Sequence, residues 1–242
     1  MVGLDPDRPP HTISEFDEFA RKMVKREGGG TGGKLERAGF MVTEPGWWTW
    51  VWGYHFGGAI WDPAKEDSTL LDPEFIAAGE WVQKGVRELG LGESTAFQET
   101  FGNYDSPQNA FLAGKVGMIF QGPWLANVIK AFKPDLDYGV APFPVADHLY
   151  RADAPVSCID TDVIVIPKGV KHPEASMEFL AHTQKPEVVE YLATVHAKGS
   201  PMARASDEFV KNHPNRGVAV HNALAASPRS FLCPRTVVWT QI

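Results

Sequence analysis

Cysteine is scarce: Cys158 and Cys233 are the only two in 242 residues. They match no CxxC spacing for zinc or redox chemistry and set no disulfide framework, which leaves one bridge between them or two free thiols. No apolar run reaches the ~18 residues that a membrane-spanning helix needs. The opening MVGLDPDRPPH has neither a charged n-region nor an apolar h-region, so no signal peptide is read there. There is no basic stripe. With 23 Lys and Arg against 30 Asp and Glu, the net charge is -7, which argues against nucleic acid as the main partner. The GxSxG and HExxH signatures are missing. The loop GGGTGGK at 28–34 nearly spells a phosphate-binding loop. Leu35, however, stands where a Ser or Thr should hold magnesium, and a charged helix precedes the loop instead of a strand. Asp147, His148, Arg151 and Asp153 share a polar loop but no metal-ligand spacing. No cofactor and no metal are expected.

Tryptophan is what the chain has in excess. Trp47, Trp48, Trp50 and Trp52 fall within six residues, out of eight in the whole chain. At helical spacing they cannot all face one side, so some must meet a ligand or another part of the protein. Sugar rings present apolar C–H faces to aromatic planes while their hydroxyls bond to acids and amides, a role that suits Glu44 at the head of this run.

The second informative stretch is 106–144. Ser106 and Pro107 predict a helix that carries Ala110 and Phe111 and stops at Gly114. Alternating Val116, Met118 and Phe120 predict a strand over 115–121. Gly122-Pro123-Trp124 turns the chain into a second helix with Leu125, Val128, Ile129 and Phe132 on one side. A short strand at 138–141 follows, ended by Pro142 and Pro144. The series places Trp124 at a strand end, where ligands of open α/β sheets collect.

Around these stretches the pattern is ordinary α/β. Thr12 and Glu15 predict a capped helix, and 38–43 a strand. Asp72-Pro73 starts a helix to Leu89 with Ile76, Gly79, Val82, Val86 and Leu89 inward and Phe75 and Trp81 in the core. Residues 95–105 read as loop. The β-branched run 162–166 predicts a buried strand. Helices are predicted from Pro173, from Pro186, after Ser206 and over 218–226.

The ordered set Phe111, Gly114, Met118, Gly122-Pro123-Trp124, Tyr138-Gly139-Val140 and Pro144 resembles the second-lobe core of extracellular solute-binding proteins of sugar ABC transporters, the maltose-binding-protein-like family. The run Glu44-Pro45-Gly46-Trp47-Trp48-Thr49-Trp50 resembles that family's Glu-Pro-aromatic-aromatic-x-Trp segment, with Gly46 inserted. The 162–169 strand and turn and the helix from Pro173 resemble part of its first lobe. The resemblance implies a two-lobed α/β fold of the periplasmic-binding-protein type II class, here incomplete. It places the second lobe at 1–154 and again at 200–242, and part of the first lobe at 155–199. The chain is expected to be a piece of a longer, monomeric protein of the periplasm or of the extracellular face of the cytoplasmic membrane. Implied ligand contacts are Trp124, Trp47, Trp48 and Glu44, with Ser157 and Asp160 near the hinge. The implied activity is capture of a sugar or oligosaccharide and its delivery to permease subunits, without catalysis. Two other classes stay open: a glycoside-active enzyme with paired carboxylates, and a binder of a non-sugar ligand such as a glycerol phosphodiester, which would want cations that the motif residues do not supply.

Overall fold

The computed structural model describes residues 2–29, 33–44, 46–160 and 162–233, and for 46–48 the backbone alone. Helix α1 (Ile13–Met23) opens where the sequence predicts, with Thr12 Oγ1 accepting from the Glu15 N–H at 3.3 Å. The Glu15 carboxylate reaches past the usual capping-box partner to accept from the His11 N–H at 2.9 Å and from Arg8 at 2.8 Å. Strands β1 (Lys25–Arg26) and β2 (Leu35–Arg37) pair antiparallel across the glycine loop.

A short 3-10 turn (Gly46–Val51) runs into α2 (Trp52–His55). A small hairpin, β3 (Trp61–Asp62) with β4 (Asp67–Ser68), leads to α3 (Pro73–Leu89). Pro73 sits where no N–H donor is needed, and Gly90, at φ 87°, ends the helix in a conformation that suits glycine. Helix α4 (Leu91–Gln98) then takes the first part of what the sequence presents as loop. On α3 the expected core places of Phe75 and Trp81 are borne out, but the inward side expected of Ile76 is not. Phe75, Ala78 and Trp81 are inside, with Val82 and Val86 packed alongside, whereas Ile76 is half exposed. The aromatic rings bring more apolar area than Ile76 does, and the Trp81 Nε1–H finds a partner in Asp17 at 2.8 Å.

Arg26 ties this region together. Its guanidinium donates to the carbonyls of Gly33 (3.1 Å) and Leu89 (3.2 Å) and to the Glu93 carboxylate (2.6 Å). The same Glu93 oxygen accepts from the Leu35 N–H at 2.9 Å, and Arg26 holds the Glu93 carboxyl below its usual range. The Arg26 side chain is mostly shielded from water. Arg26→Ala should therefore cost about 2 kcal/mol in urea unfolding; an unchanged midpoint would mean the loop is held by backbone alone.

Trp52 is the centre of the main core. The rings of Phe143 (4.9 Å), Phe120 (5.1 Å), Trp81 (5.6 Å) and Phe40 (6.1 Å) surround it, and its Nε1–H bonds the Val42 carbonyl at 3.2 Å. A second cluster holds Leu35, Ala38, Met41, Phe97 and Val116.

The expected strands are only partly realised. Ala38 and Val116 form an isolated parallel bridge, and the Met118 N–H bonds the Gly39 carbonyl at 2.8 Å. Residues 138–141 and 162–166 join no ladder. Val163 and Val165 are 74% and 70% exposed, so a run with the composition of a buried strand has no strand beside it among the described residues. The expected helix after Pro107 is a series of turns. Asn109 is the physical reason: its Oδ1 accepts from the Phe111 and Leu112 N–H groups, and its Nδ2 donates to the Tyr104 carbonyl. The side chain thereby takes backbone donors that a helix would use.

From Trp124 onward the helices fall as predicted: α5 (Leu125–Phe132), α6 (Pro173–Thr183), α7 (Pro186–Val195), α8 (Asp207–Asn212) and α9 (Val218–Ala226). Ser206 caps α8, accepting from the Phe209 N–H at 3.1 Å. Between α5 and α6 lies strand β5 (Cys158–Ile159), which pairs in parallel with β6 (Phe231–Leu232) after α9. Cys158 and Cys233 are free thiols.

Candidate functional site

The Gly122-Pro123-Trp124 turn delivers Trp124 to the start of α5, half-buried. Its ring lies back over Gly122, where an added methyl group would come within 2.1 Å of a ring carbon. Asn127 follows one helical turn later. Facing them is the end of α7, with Val195, His196 and Lys198. Trp124, Asn127, Val195, His196 and Lys198 line an open cleft of about 440 Å³, within the size range of small-ligand sites.

The two walls are joined by side-chain amides. Asn127 Nδ2 donates to the Val195 carbonyl at 3.1 Å. Asn215, buried just before α9, donates to the Pro123 carbonyl at 3.2 Å and the Ala197 carbonyl at 2.9 Å. Lys198 forms an ion pair with Asp162, and Lys198 holds the Asp162 carboxyl below its usual range, with His196 adding to the effect. The cleft therefore sets one aromatic plane against a wall of donors whose lysine charge is already balanced.

The other sequence candidates lie elsewhere or beyond description. The exposed Glu44 accepts from Gln98 Nε2 at 2.6 Å. Ser157 and Asp160 flank β5: the Ser157 Oγ donates to the Cys158 carbonyl at 3.3 Å, and its own carbonyl accepts from the Phe231 N–H at 2.9 Å. Burial pushes the Cys158 thiol up to about 12, with the negative charge of Asp160 and then Cys233 adding to it. None of Glu44, Ser157 and Asp160 lines the Trp124 cleft. The side chains of Trp47 and Trp48 lie outside the described residues. Sequence reading missed Asn127, His196, Lys198 and Asn215. Their only signal was position: two in the turn after α7, one on α5 and one just before α9.

A second cleft, of about 400 Å³, lies between 164–167 and α6 and is lined by Ile164, Val165, Pro167, His172, Phe179 and Leu180 among others. It belongs to the exposed apolar run described above. Among the described residues no group of three His, Cys, Asp or Glu side chains could hold a metal ion, and no helix is long and apolar enough to cross a membrane.

Residues 4–217 match the sequence profile of bacterial extracellular solute-binding proteins. The maltotriose-binding protein of Pyrococcus abyssi is 23% identical over 186 residues, which is 76% of this chain and 37% of that protein. A putative binding protein of Brucella abortus is 37% identical over 73 residues, 30% of this chain and 17% of its own length. Among solved structures, CpMnBP1 with mannobiose bound gives a TM-score of 0.78 at 27% identity, covering 96% of this chain and 57% of that one. The maltose/maltodextrin-binding domain of Bdellovibrio bacteriovorus bound to maltotriose gives 0.61 at 22% identity, covering 91% and 56%. The fold is that of these periplasmic-binding-protein-like structures in partial form, as the sequence predicts, and this chain spans little more than half the length of the solved structures it matches.

Proposed function

The chain belongs to the bacterial extracellular solute-binding protein family, and from that premise we propose that it captures a sugar or short oligosaccharide for delivery to the permease of an ABC transporter. The observation that carries this reading is the Trp124 cleft: an aromatic plane, with Asn127 beside it, opposite His196 and Lys198. A sugar ring would stack on Trp124 while its hydroxyls bond to the facing wall. Relatives with mannobiose and maltotriose bound fit that chemistry.

In this reading residues 1–154 and 200–242 form most of one lobe and 155–199 part of the other. The cleft sits where the chain passes from the end of α7 back to 200, and closure about that crossing would bury the ligand. Trp47, Trp48 and Glu44 would cover another face of it, with Ser157 and Asp160 near the hinge. The whole protein would work in the periplasm or at the extracellular face of the cytoplasmic membrane.

Two features weigh against the other classes. Among the described residues, those lining the cleft include no carboxylate, whereas glycoside hydrolysis needs two facing one bond. Lys198 does bring a cation that the motifs did not, but Asp162 balances it, which favours a neutral ligand over a phosphodiester.

Tryptophan fluorescence titrated with mannobiose, mannotriose and maltotriose tests the proposal. A saturable change is expected for at least one of them, and Trp124→Ala should weaken that affinity by about tenfold or more. Equal affinity in the variant would remove the reading's centre.

A further inference from the structure

We infer that Asn215 is the positioning residue that sets the spacing of the Trp124 cleft. Its effect on affinity rests on the reading of Trp124 as a ligand contact; its effect on geometry does not. Asn215 is 2% exposed. Both donors of its amide are used, one on Pro123 and one on Ala197, while its Oδ1 accepts from the Gly217 N–H at 2.8 Å. Two carbonyls on one side and an N–H on the other fix which amide atom is nitrogen. Pro123 immediately precedes Trp124, and Ala197 lies between His196 and Lys198. One side chain therefore holds both walls at the residues next to those that line the cleft.

Nothing local can replace it. The bonds to Pro123 and Ala197 span 92 and 18 residues. Ala197 ends α7 in a left-handed conformation (φ 56°), with the Lys198 N–H on the Ala193 carbonyl at 2.9 Å; that bond ties it to its own helix and not to the Trp124 wall. The Asn127 bond to Val195 fixes the near end of the same segment, but Asn127 is exposed, so that bond competes with water. Without Asn215, the buried Ala197 carbonyl loses its side-chain donor, the Pro123 carbonyl keeps only the Ala126 N–H, and the amide tie between the two walls rests on Asn127 alone.

The test uses protein labelled with 5-fluorotryptophan, the Trp124 signal in the ¹⁹F spectrum being the one lost in Trp124→Phe. Asn215→Ala and the milder Asn215→Ser should shift or broaden that signal. Asn109→Ala removes a comparably buried amide (6% exposed) that bonds Tyr104, Phe111 and Leu112. It should lower stability to a similar degree and leave the Trp124 signal in place. A Trp124 signal unmoved in both Asn215 variants, or moved equally by Asn109→Ala, overturns the inference. Mannotriose titration gives the second readout: Asn215→Ala should weaken binding about fivefold or more in the parent protein and no further in Trp124→Ala. Fully additive losses overturn the inference. If Trp124→Ala leaves mannotriose and maltotriose affinity untouched, the sugar reading fails instead, and the ¹⁹F result still decides the role of Asn215.

Discussion

Acidification from pH 6.5 to 3 should remove roughly 4 kcal/mol of stability through one residue, His55. The side chain is 1% exposed and packed among the rings of Trp52, Phe120, Phe143 and Phe231. Neither ring nitrogen has a hydrogen-bond partner of good geometry. Burial pushes the imidazole down to about 3; the Pro144 carbonyl opposes this weakly, and the Arg229 charge adds to it. The unfolded chain takes up a proton near 6.5 and the folded one only near 3. Between those values the unfolded state binds more protons, so stability falls as pH falls, approaching ~1.4 kcal/mol per unit, and levels off below the folded value. Urea unfolding at pH 7, 6, 5 and 4 measures this in the parent and in His55→Phe. Carboxylates contribute to both profiles and cancel in the difference. The variant should lose the steep part of the fall and, having no orphaned nitrogens, be at least as stable at pH 7. Parallel profiles would acquit His55.

Trp52→Ala should cost roughly 3–5 kcal/mol, a large share of the 5–15 kcal/mol typical of a folded domain. The indole is 1% exposed and touches four aromatic side chains from three separate stretches of chain, besides His55. Its loss leaves a cavity that rigid neighbours cannot close and strands the Val42 carbonyl without its donor. Trp52→Phe should cost less, because a ring still fills most of the space. Guanidinium unfolding followed by far-ultraviolet circular dichroism gives both numbers. Trp52 and Trp124 thus separate cleanly. Substituting the first should lower stability and leave ligand affinity per folded molecule alone, whereas substituting the second should do the reverse. A Trp52→Ala protein with an unchanged midpoint would mean the aromatic cluster is not the core.

The elements that could be read from the sequence are those whose signals are local. Thr12, Asp72-Pro73, Pro173, Pro186 and Ser206 each open a helix at the predicted place, because capping and proline geometry act within a single turn. Trp124 was legible for the same reason, since Gly-Pro-Trp before an amphipathic helix fixes where its ring emerges. Reading failed where the deciding partner is distant or the competition subtle. Asn109 diverts a helix into turns with one side chain. The run 162–166 has strand composition, yet a ladder needs a neighbour that no composition supplies. On α3, Phe75 and Trp81 were read as core, but Ile76 was misplaced inward, because the cluster that Trp81 meets is assembled from other parts of the chain. The wall opposite Trp124 was invisible because Asn127 reaches 68 residues to Val195 and Asn215 reaches 92 to Pro123, and no pattern in a window of sequence encodes such a meeting.

Gly122 restricts how this cleft can change over generations. A methyl group there would fall within 2.1 Å of the Trp124 ring, so a lineage that keeps the tryptophan in place must keep the glycine with it. The facing wall carries no such constraint. Its backbone is fixed by Asn127 and Asn215, while the side chains of His196 and Lys198 are not what those amides grip. On the proposed reading of the cleft, substitution at 196 and 198 would retune ligand preference over an inherited aromatic floor, and descendants that part company in what they bind should differ there first.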